Sequence, residues 1–221
     1  MHGPSKFIHK APLIIFAVDL VLVVSFFIAP ATLEPGTVIG LDGRANAMDY
    51  QDLWKDLSPF HFMIYSFGDF NCHQIEHRTI IINGNQMPVC ARDVGIFMGV
   101  LFGAALLARA VVDDSPARTF LSILPKRIAT NRFIQRRRGI IVAVFMVLLI
   151  VPTALDGGIQ MLSTMDLLPF GLSYESTNPT RLLTGFPMGT AAALLMTTLV
   201  MTLVSRRDDG ELPLLPIFNR R

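Results

Sequence analysis

The sequence predicts an all-α membrane protein, a four-transmembrane-helix bundle under a structured extracytoplasmic cap. Three observations carry that prediction. Four apolar stretches, 11–30, 94–112, 139–155 and 182–204, divide the chain. Hydrophobic residues make up 52% of it, and the 16% that are charged gather outside those stretches. Lys and Arg crowd into alternate connections. A helix needs about 20 mainly apolar residues to cross a hydrocarbon layer about 30 Å thick. The first and fourth stretches meet that length; the second and third reach it by extending into flanking polar turns. A soluble domain has no need of four such segments, so the whole chain reads as a single integral membrane domain.

The first stretch opens at Pro12, near a helix start where proline is tolerated. No small-x-small cleavage site precedes Pro30, so a retained helix is expected, not a cleaved signal peptide. Asp19 lies inside it. A charge there costs about 2.5–3.5 kcal/mol unless paired, hydrated or protonated. It is read either as a carboxyl bonded to neighbouring helices or as a proton or ion site.

The connection 31–93 is the expected cap. It begins with the turn-rich Leu33-Glu34-Pro35-Gly36 and Leu41-Asp42-Gly43-Arg44. Tyr50, Leu53, Trp54 and Leu57 then fall on one side of a short helix within 47–57. Ser58-Pro59 reads as an N-cap and first helical position. The stretch 59–70 that follows is apolar but too short to span, which suits an interfacial or re-entrant helix. It delivers Cys72 and His73 to the membrane surface. Asn83-Gly84 fits a two-residue turn with both φ angles positive, making 79–87 a small hairpin. Pairing outward from that turn sets Ile82 opposite Asn85 and His77 opposite Cys90. Cys90 is thereby folded back toward Cys72, His73 and His77, and Pro88 keeps the ladder short.

Gly95, Gly99 and Gly103 recur every four residues in the second stretch, and Gly185 and Gly189 repeat the spacing in the fourth. Such faces let backbones approach closely; packing within the monomer is expected, with dimerisation as the other use. The basic connection 109–138 carries Phe120, Leu121, Ile123, Leu124 and Ile128 among its positive charges, a composition that suits an anionic inner leaflet.

Orientation follows from the basic residues of short loops. Arg109, Arg118, Lys126, Arg127, Arg132, Arg136, Arg137 and Arg138 lie in the second connection, whereas 156–178 contains no Lys or Arg. Lys6, Lys10, Arg206, Arg207, Arg220 and Arg221 mark the ends. A multi-pass cell-membrane protein with cytoplasmic termini is expected, with Lys126 and Arg137 inside and Trp54 and Gly171 outside. The net charge of +2 expresses that topology and requires no nucleic-acid partner.

Two polar clusters then share the outer side. The second and fourth helices begin there, the latter with Asn178-Pro179 as N-cap and first position, so their positive dipole ends face outward beside Arg92 and Arg181. The third stretch ends near Asp156, where a helix C-terminus disfavours a carboxylate. Asp156 is therefore expected to find Arg92, Arg181 or Arg78, and Arg92, Asp156, Glu175 and Arg181 to form one ion network.

Two strings carry a resemblance. Gly68-Asp69-Phe70-Asn71-Cys72-His73-Gln74, followed by Asn83-Gly84-Asn85-Gln86-Met87-Pro88-Val89-Cys90-Ala91-Arg92-Asp93, resembles the first motif of a prokaryotic family of predicted membrane proteins, domain of unknown function 2085. Asp156-Gly157 with Gln160, and Glu175-Ser176-Thr177-Asn178 with Arg181 and Thr184-Gly185, resemble its second motif. The likeness runs from Cys72 to the end of the fourth stretch. It implies a membrane protein and supplies no reaction. The family pattern often reads Cys-Ala-Arg-Cys where this chain has Cys90-Ala91-Arg92-Asp93.

Three states of the cysteines stay open. A Cys72–Cys90 disulfide suits an oxidising compartment and contributes about 3 kcal/mol in the chain-entropy model. A zinc-type site draws on Cys72, Cys90 and His73, His77 or Asp93. The third state is a pair of free thiols. A four-helix dithiol oxidoreductase ranks low for want of Cys-x-x-Cys. No phosphate-binding loop, nucleophile elbow or His-Glu-x-x-His motif occurs.

Two functions compete. The first is a binding module or accessory subunit of a membrane complex, its outer mouth organised by a disulfide or a metal. The second is a membrane-embedded enzyme acting on an anionic or lipid-linked substrate. There Arg92 and Arg181 would hold the anion and Asp156 or Glu175 would act as base.

Overall fold

A computed structural model describes residues 10–169 and 172–208, without the side chains of 206–208. Lys6, Gly171, Arg220 and Arg221, and the side chains of Arg206 and Arg207, lie outside that description. The chain is mostly helical. Helix α1 spans Ala11–Thr32, α2 Gln51–Lys55 and α3 Pro59–Asn71. A 3-10 turn at Glu76–Arg78 leads into strands β1 (Thr79–Ile82) and β2 (Asn85–Cys90). Helix α4 follows at Ala91–Leu107, then three short helices, α5 (Pro116–Leu121), α6 (Lys126–Ala129) and α7 (Arg132–Arg136). The long α8 (Arg138–Thr164) and α9 (Asn178–Asp208) complete the chain.

Three of these helices are long and apolar enough to cross a membrane: α1, α8 and α9. Helix α4 has 17 residues, a length of about 26 Å at the α-helical rise. The expected second span thus starts three residues early and ends five short, and the count of membrane-length helices among the described residues is three. Helix α8 departs the other way. Gly157-Gly158 does not stop it, because bonded turns continue to Thr164. Asp156 is therefore an interior helical residue, and the expected clash with a helix C-terminus does not arise.

Helix α9 is the axis of the fold, with 56% of its apolar window buried against 11% for α8. It lies parallel to α4, and glycines make that contact. A Cβ on Gly99 would overlap the Phe186 carbonyl oxygen, and one on Gly189 would overlap that of Ile96. Backbones at such range allow Thr190 Oγ1 to donate to the Gly99 carbonyl at 3.2 Å. The glycine faces are thus used inside one chain. Helix α8 joins through the Thr153 hydroxyl, which donates to the Thr184 carbonyl. Its outer face, with Ile140, Val144, Val147, Leu148 and Leu155, is exposed, as a lipid-facing surface requires. Asp19 of α1 is buried beside the Leu101 backbone of α4, and its Oδ2 has no partner among the described residues.

Two apolar cores sit at opposite ends of α4. At its start Phe26, Ala29, Val38, Leu41, Trp54, Tyr65, Met87, Val89 and Val94 pack together, binding the 31–90 segment to the bundle. Beyond its far end Leu107, Phe120, Leu121, Met146 and Leu194 form the second core. Phe120 and Leu121 are therefore buried plugs, whereas Val111, Ile128 and Phe133 of this basic region are broadly exposed. The expectation that Phe120 and Leu121 lie on a leaflet is corrected, since α5 packs its apolar side on α8 and α9.

The hairpin turn is formed by Asn83 and Gly84, with φ of 52° and 71°. Ile82 faces Asn85, but Thr79, not His77, pairs with Cys90. A bulge separates Thr79 from Ile81 and absorbs residues of β2 around Pro88, which has no N–H for the ladder. Amide side chains secure what the ladder omits. Gln86 accepts from Leu41 N at 2.8 Å and donates to the Gln74 carbonyl at 3.1 Å. Asn85 accepts from Val38 N at 3.0 Å and donates to the Glu34 carbonyl at 3.0 Å. Tyr65 adds a hydroxyl bond to the Gln86 carbonyl at 2.8 Å, and burial pushes its phenol above the ordinary range.

Candidate functional site

The start of α4, the start of α9 and the last three turns of α8 meet at one end of the bundle, under the hairpin. Arg92 stands in the first turn of α4 and reaches across to α8. Its Nη2 lies 2.6 Å from Asp156 Oδ2 and 3.5 Å from Gln160 Oε1. Asp156 and Gln160 are one helical turn apart, which presents both to the same neighbour. Asp156 also accepts from the Tyr174 hydroxyl at 2.7 Å and from Thr184 Oγ1 at 3.3 Å. That hydrogen bond to a carboxylate raises the Tyr174 phenol above its ordinary range. The Asp156 side chain is 4% exposed, so this is a buried ion pair with two neutral donors.

Arg181 is 2% exposed and forms no ion pair with a carboxylate among the described residues. Its Nε donates to the Ser176 carbonyl at 2.9 Å, while Nη2 has no acceptor among the described residues. Arg92 Nε and Gln160 Nε2 are likewise buried without acceptors. Arg78 and Arg92 are both near enough to repel the Arg181 guanidinium. Glu175 stands apart from this group. It lies 2.6 Å from His77 Nε2 and 3.8 Å from Arg78 Nε. The single four-residue network is thus corrected to two: Arg92 with Asp156 inside, Glu175 with His77 and Arg78 at the rim. Both rim side chains of the close pair are more than half exposed, which is why Glu175 turns to solvent and away from Arg181. A cavity of about 390 Å³ opens between them, lined by His77, Arg78, Gln160, Ser163, Tyr174 and Glu175 among others.

The cap of α9 differs from its expected form. Asn178 donates its amide to the Thr79 carbonyl at 3.2 Å, and Thr177 Oγ1 accepts from Thr180 N at 3.4 Å. Asn178 therefore ties the hairpin to α9 and leaves the capping to Thr177. Ser58, expected to cap α3, bonds His61 Nδ1 at 2.7 Å instead.

The second cluster lies where α3 ends and α4 begins. Cys72 closes α3 and is buried; Cys90 precedes α4 and is half-buried. Cys90 N donates to Cys72 Sγ at 3.2 Å, and Cys90 Sγ to Asp93 Oδ2 at 3.3 Å. Ligand-type atoms of Cys72, Cys90 and Asp93 all fall within 4.8 Å of one another. The Cys90 thiol beside it, then burial, then the Asp93 carboxylate push the Cys72 thiol well above its ordinary range. His73 and His77 do not join this group. His73 is exposed, its carbonyl accepting from Gly43 N at 2.9 Å, and the bulge carries His77 away to Glu175.

The family model for predicted membrane proteins, DUF2085, matches residues 72–195, more than half of the chain. The chain belongs to that family. The matched segment begins at Cys72 and contains all of Cys90, Arg92, Asp93, Asp156, Glu175 and Arg181. An uncharacterized protein of Methanocaldococcus jannaschii is 27% identical over 180 residues, covering 81% of this chain and 86% of its own length. No solved structure matches this DUF2085 protein.

Some residues of the site had no functional signal in the sequence. Tyr174 lies in a loop, and nothing local aims it at a carboxylate 18 positions away. Asp69 is buried in α3 and accepts from Trp54 Nε1 at 2.8 Å and Tyr50 N at 3.0 Å. An acid inside an apolar helix preceding Cys72 was its available signal.

Proposed function

We propose that this DUF2085 protein is a four-span membrane protein that acts as a binding module for an anionic group at its extracytoplasmic mouth. The ligand is a phosphate-type anion, either a lipid headgroup or a free phosphate compound. One observation carries the reading: the buried donors Arg92 Nε, Gln160 Nε2 and Arg181 Nη2 have no acceptor among the described residues, and Gln160 and Arg181 both lie close to Arg92. An unpartnered buried guanidinium is costly by itself, and an anion that accepts from it removes that cost. The starts of α4 and α9 add the positive ends of their dipoles. Arg78 and Gln160 line the cavity, and Arg92 and Arg181 supply charge behind it. In this reading Asp156 positions Arg92, because its oxygens already accept from Arg92, Tyr174 and Thr184.

The test compares purified full-length protein with Arg181→Met. Wild type is expected to gain thermal stability on adding inorganic phosphate, or on transfer from phosphatidylcholine nanodiscs to ones containing phosphatidylglycerol. The first response identifies a free anion and the second a headgroup. Arg181→Met is expected to lose either response while unfolding at or above the ligand-free wild-type temperature, since a buried unpaired charge has been removed. A wild type indifferent to both additions overturns the reading.

The proposed topology places both ends and the 109–138 loop in the cytoplasm and the 31–93 cap outside, with α4 as the shortest span. Its support is the basic bias of the loop and the opposite placement of the two apolar cores. Single cysteines at exposed Asp42 and Lys126, in a chain with Cys72 and Cys90 replaced by serine, report on it. An impermeant maleimide applied to intact cells is expected to label Asp42→Cys and spare Lys126→Cys. The reverse pattern inverts the topology.

A further inference from the structure

We infer that Cys72, Cys90 and Asp93 form a binding site for a thiophilic divalent cation of the zinc class. Its ligands are distinct from the residues of the arginine cluster, and the inference does not rest on the anion-binding reading. Two sulfurs and one carboxylate oxygen lie within 4.8 Å of one another. Tetrahedral zinc, with bonds of about 2.3 Å to sulfur and 2.0–2.2 Å to oxygen, sets its ligands about 3.4–3.8 Å apart. The Cys90–Asp93 separation of 3.3 Å falls just short of that range and the widest separation is at most 4.8 Å, so closure needs shifts of about an ångström.

The ligands stand on elements that hold them in place. Cys72 ends α3, its N–H bonded to the Gly68 carbonyl at 2.8 Å. Gly68 in turn packs so tightly on the Pro88 carbonyl that no Cβ fits, which presses the end of α3 onto β2. Cys90 and Asp93 occupy the N-cap and third positions of α4, where the helix dipole favours anionic ligands. The Cys90 N–H donates to Cys72 Sγ at 3.2 Å, an outer bond of the kind that stabilises a bound thiolate. Arg181 is near enough to Cys90 for their charges to interact, which offsets the excess negative charge of two thiolates and a carboxylate around a dication. Cys72 is buried while Cys90 and Asp93 are half-buried, so the site has a closed side and an open one. Water completes the coordination on the open side. On binding, each thiol forms a metal–sulfur bond and releases its proton to solvent; no oxidant is involved.

Full-length protein in detergent, reduced and stripped of metal, is titrated with Zn²⁺ against a chromophoric chelator and separately with Co²⁺. One equivalent of either ion is expected. Cobalt should give sulfur-to-metal charge-transfer absorption, and about two protons should be released per ion. Zinc is expected to protect both thiols from alkylation. Asp93→Asn should weaken binding at least about tenfold, while His73→Ala and His77→Ala leave it unchanged. The Asp93→Asn titration and the wild-type alkylation decide without any cysteine substitution. The inference is overturned by absence of saturable binding, by undiminished affinity in Asp93→Asn, or by a Cys72–Cys90 disulfide in protein isolated with zinc present.

Discussion

Gly99→Leu is expected to destabilise the fold by at least about 3 kcal/mol, the upper range for overpacking. Its Cβ alone would overlap the Phe186 carbonyl oxygen and lie 2.8 Å from Thr190 N. Both are backbone atoms of a helix, so neither can rotate aside as a side chain would. The leucine must push α4 off α9, breaking the bond from Thr190 to the Gly99 carbonyl and loosening both apolar cores that α4 connects. Gly158 is the control, because a Cβ there meets nothing within 4 Å. Gly158→Ala should stabilise α8 by about 0.5–1 kcal/mol through helix propensity alone. Thermal unfolding in detergent checks the opposite signs. A Gly99→Leu protein that unfolds with the wild type would mean that α4 and α9 do not touch along this face.

The second large effect is at Arg92. Arg92→Ala removes the cation from a carboxylate that is 4% exposed, and breaking a buried pair from one side costs about 3–5 kcal/mol. Tyr174 and Thr184 still donate to Asp156, so the lower end of that range is expected. Asp156→Asn in the same chain should recover part of the loss, giving a coupling energy of at least about 1 kcal/mol in a double-mutant cycle. Glu175→Gln gives the contrast. Glu175 and His77 are 57% and 58% exposed, and a solvated pair contributes less than about 1 kcal/mol. Additivity between Arg92→Ala and Asp156→Asn would remove the ion pair from this account.

Much of this was readable in the linear pattern. The unbroken apolar length of 11–30, interrupted by a single charge at Asp19, led directly to α1, and Asn83-Gly84 to the hairpin turn, because only residues tolerant of positive φ fit there. The glycines of 95–103 and 185–189 marked the α4–α9 contact, since a missing Cβ has meaning only where another backbone approaches. Cys90 and Asp93, three apart at a helix start, were legible as neighbours for the same local reason. Other positions were not. The register beyond Ile82 depended on a bulge at Pro88, which moved His77 by two pairing positions and out of reach of Cys90. The end of α8 was misread at Gly157-Gly158, because packing of Asp156 and Gln160 against Arg92 outweighs the local cost of two glycines.

By itself, then, the sequence determined the class of the protein, its apolar helices, its hairpin turn and the position of its polar clusters along the chain. These follow from hydrophobic burial and backbone sterics, which act over a few residues. Which of those polar residues meet was decided by the tertiary structure alone. Asp156 has both Arg92 and Arg181 within range of its charge, and Glu175 has both His77 and Arg78. Electrostatic preference does not choose among partners of equal charge; distance and burial do. Those are set where α4, α8 and α9 converge, and there Arg92 takes Asp156, Glu175 turns to the rim, and Arg181 is buried with its Nη2 unpaired among the described residues.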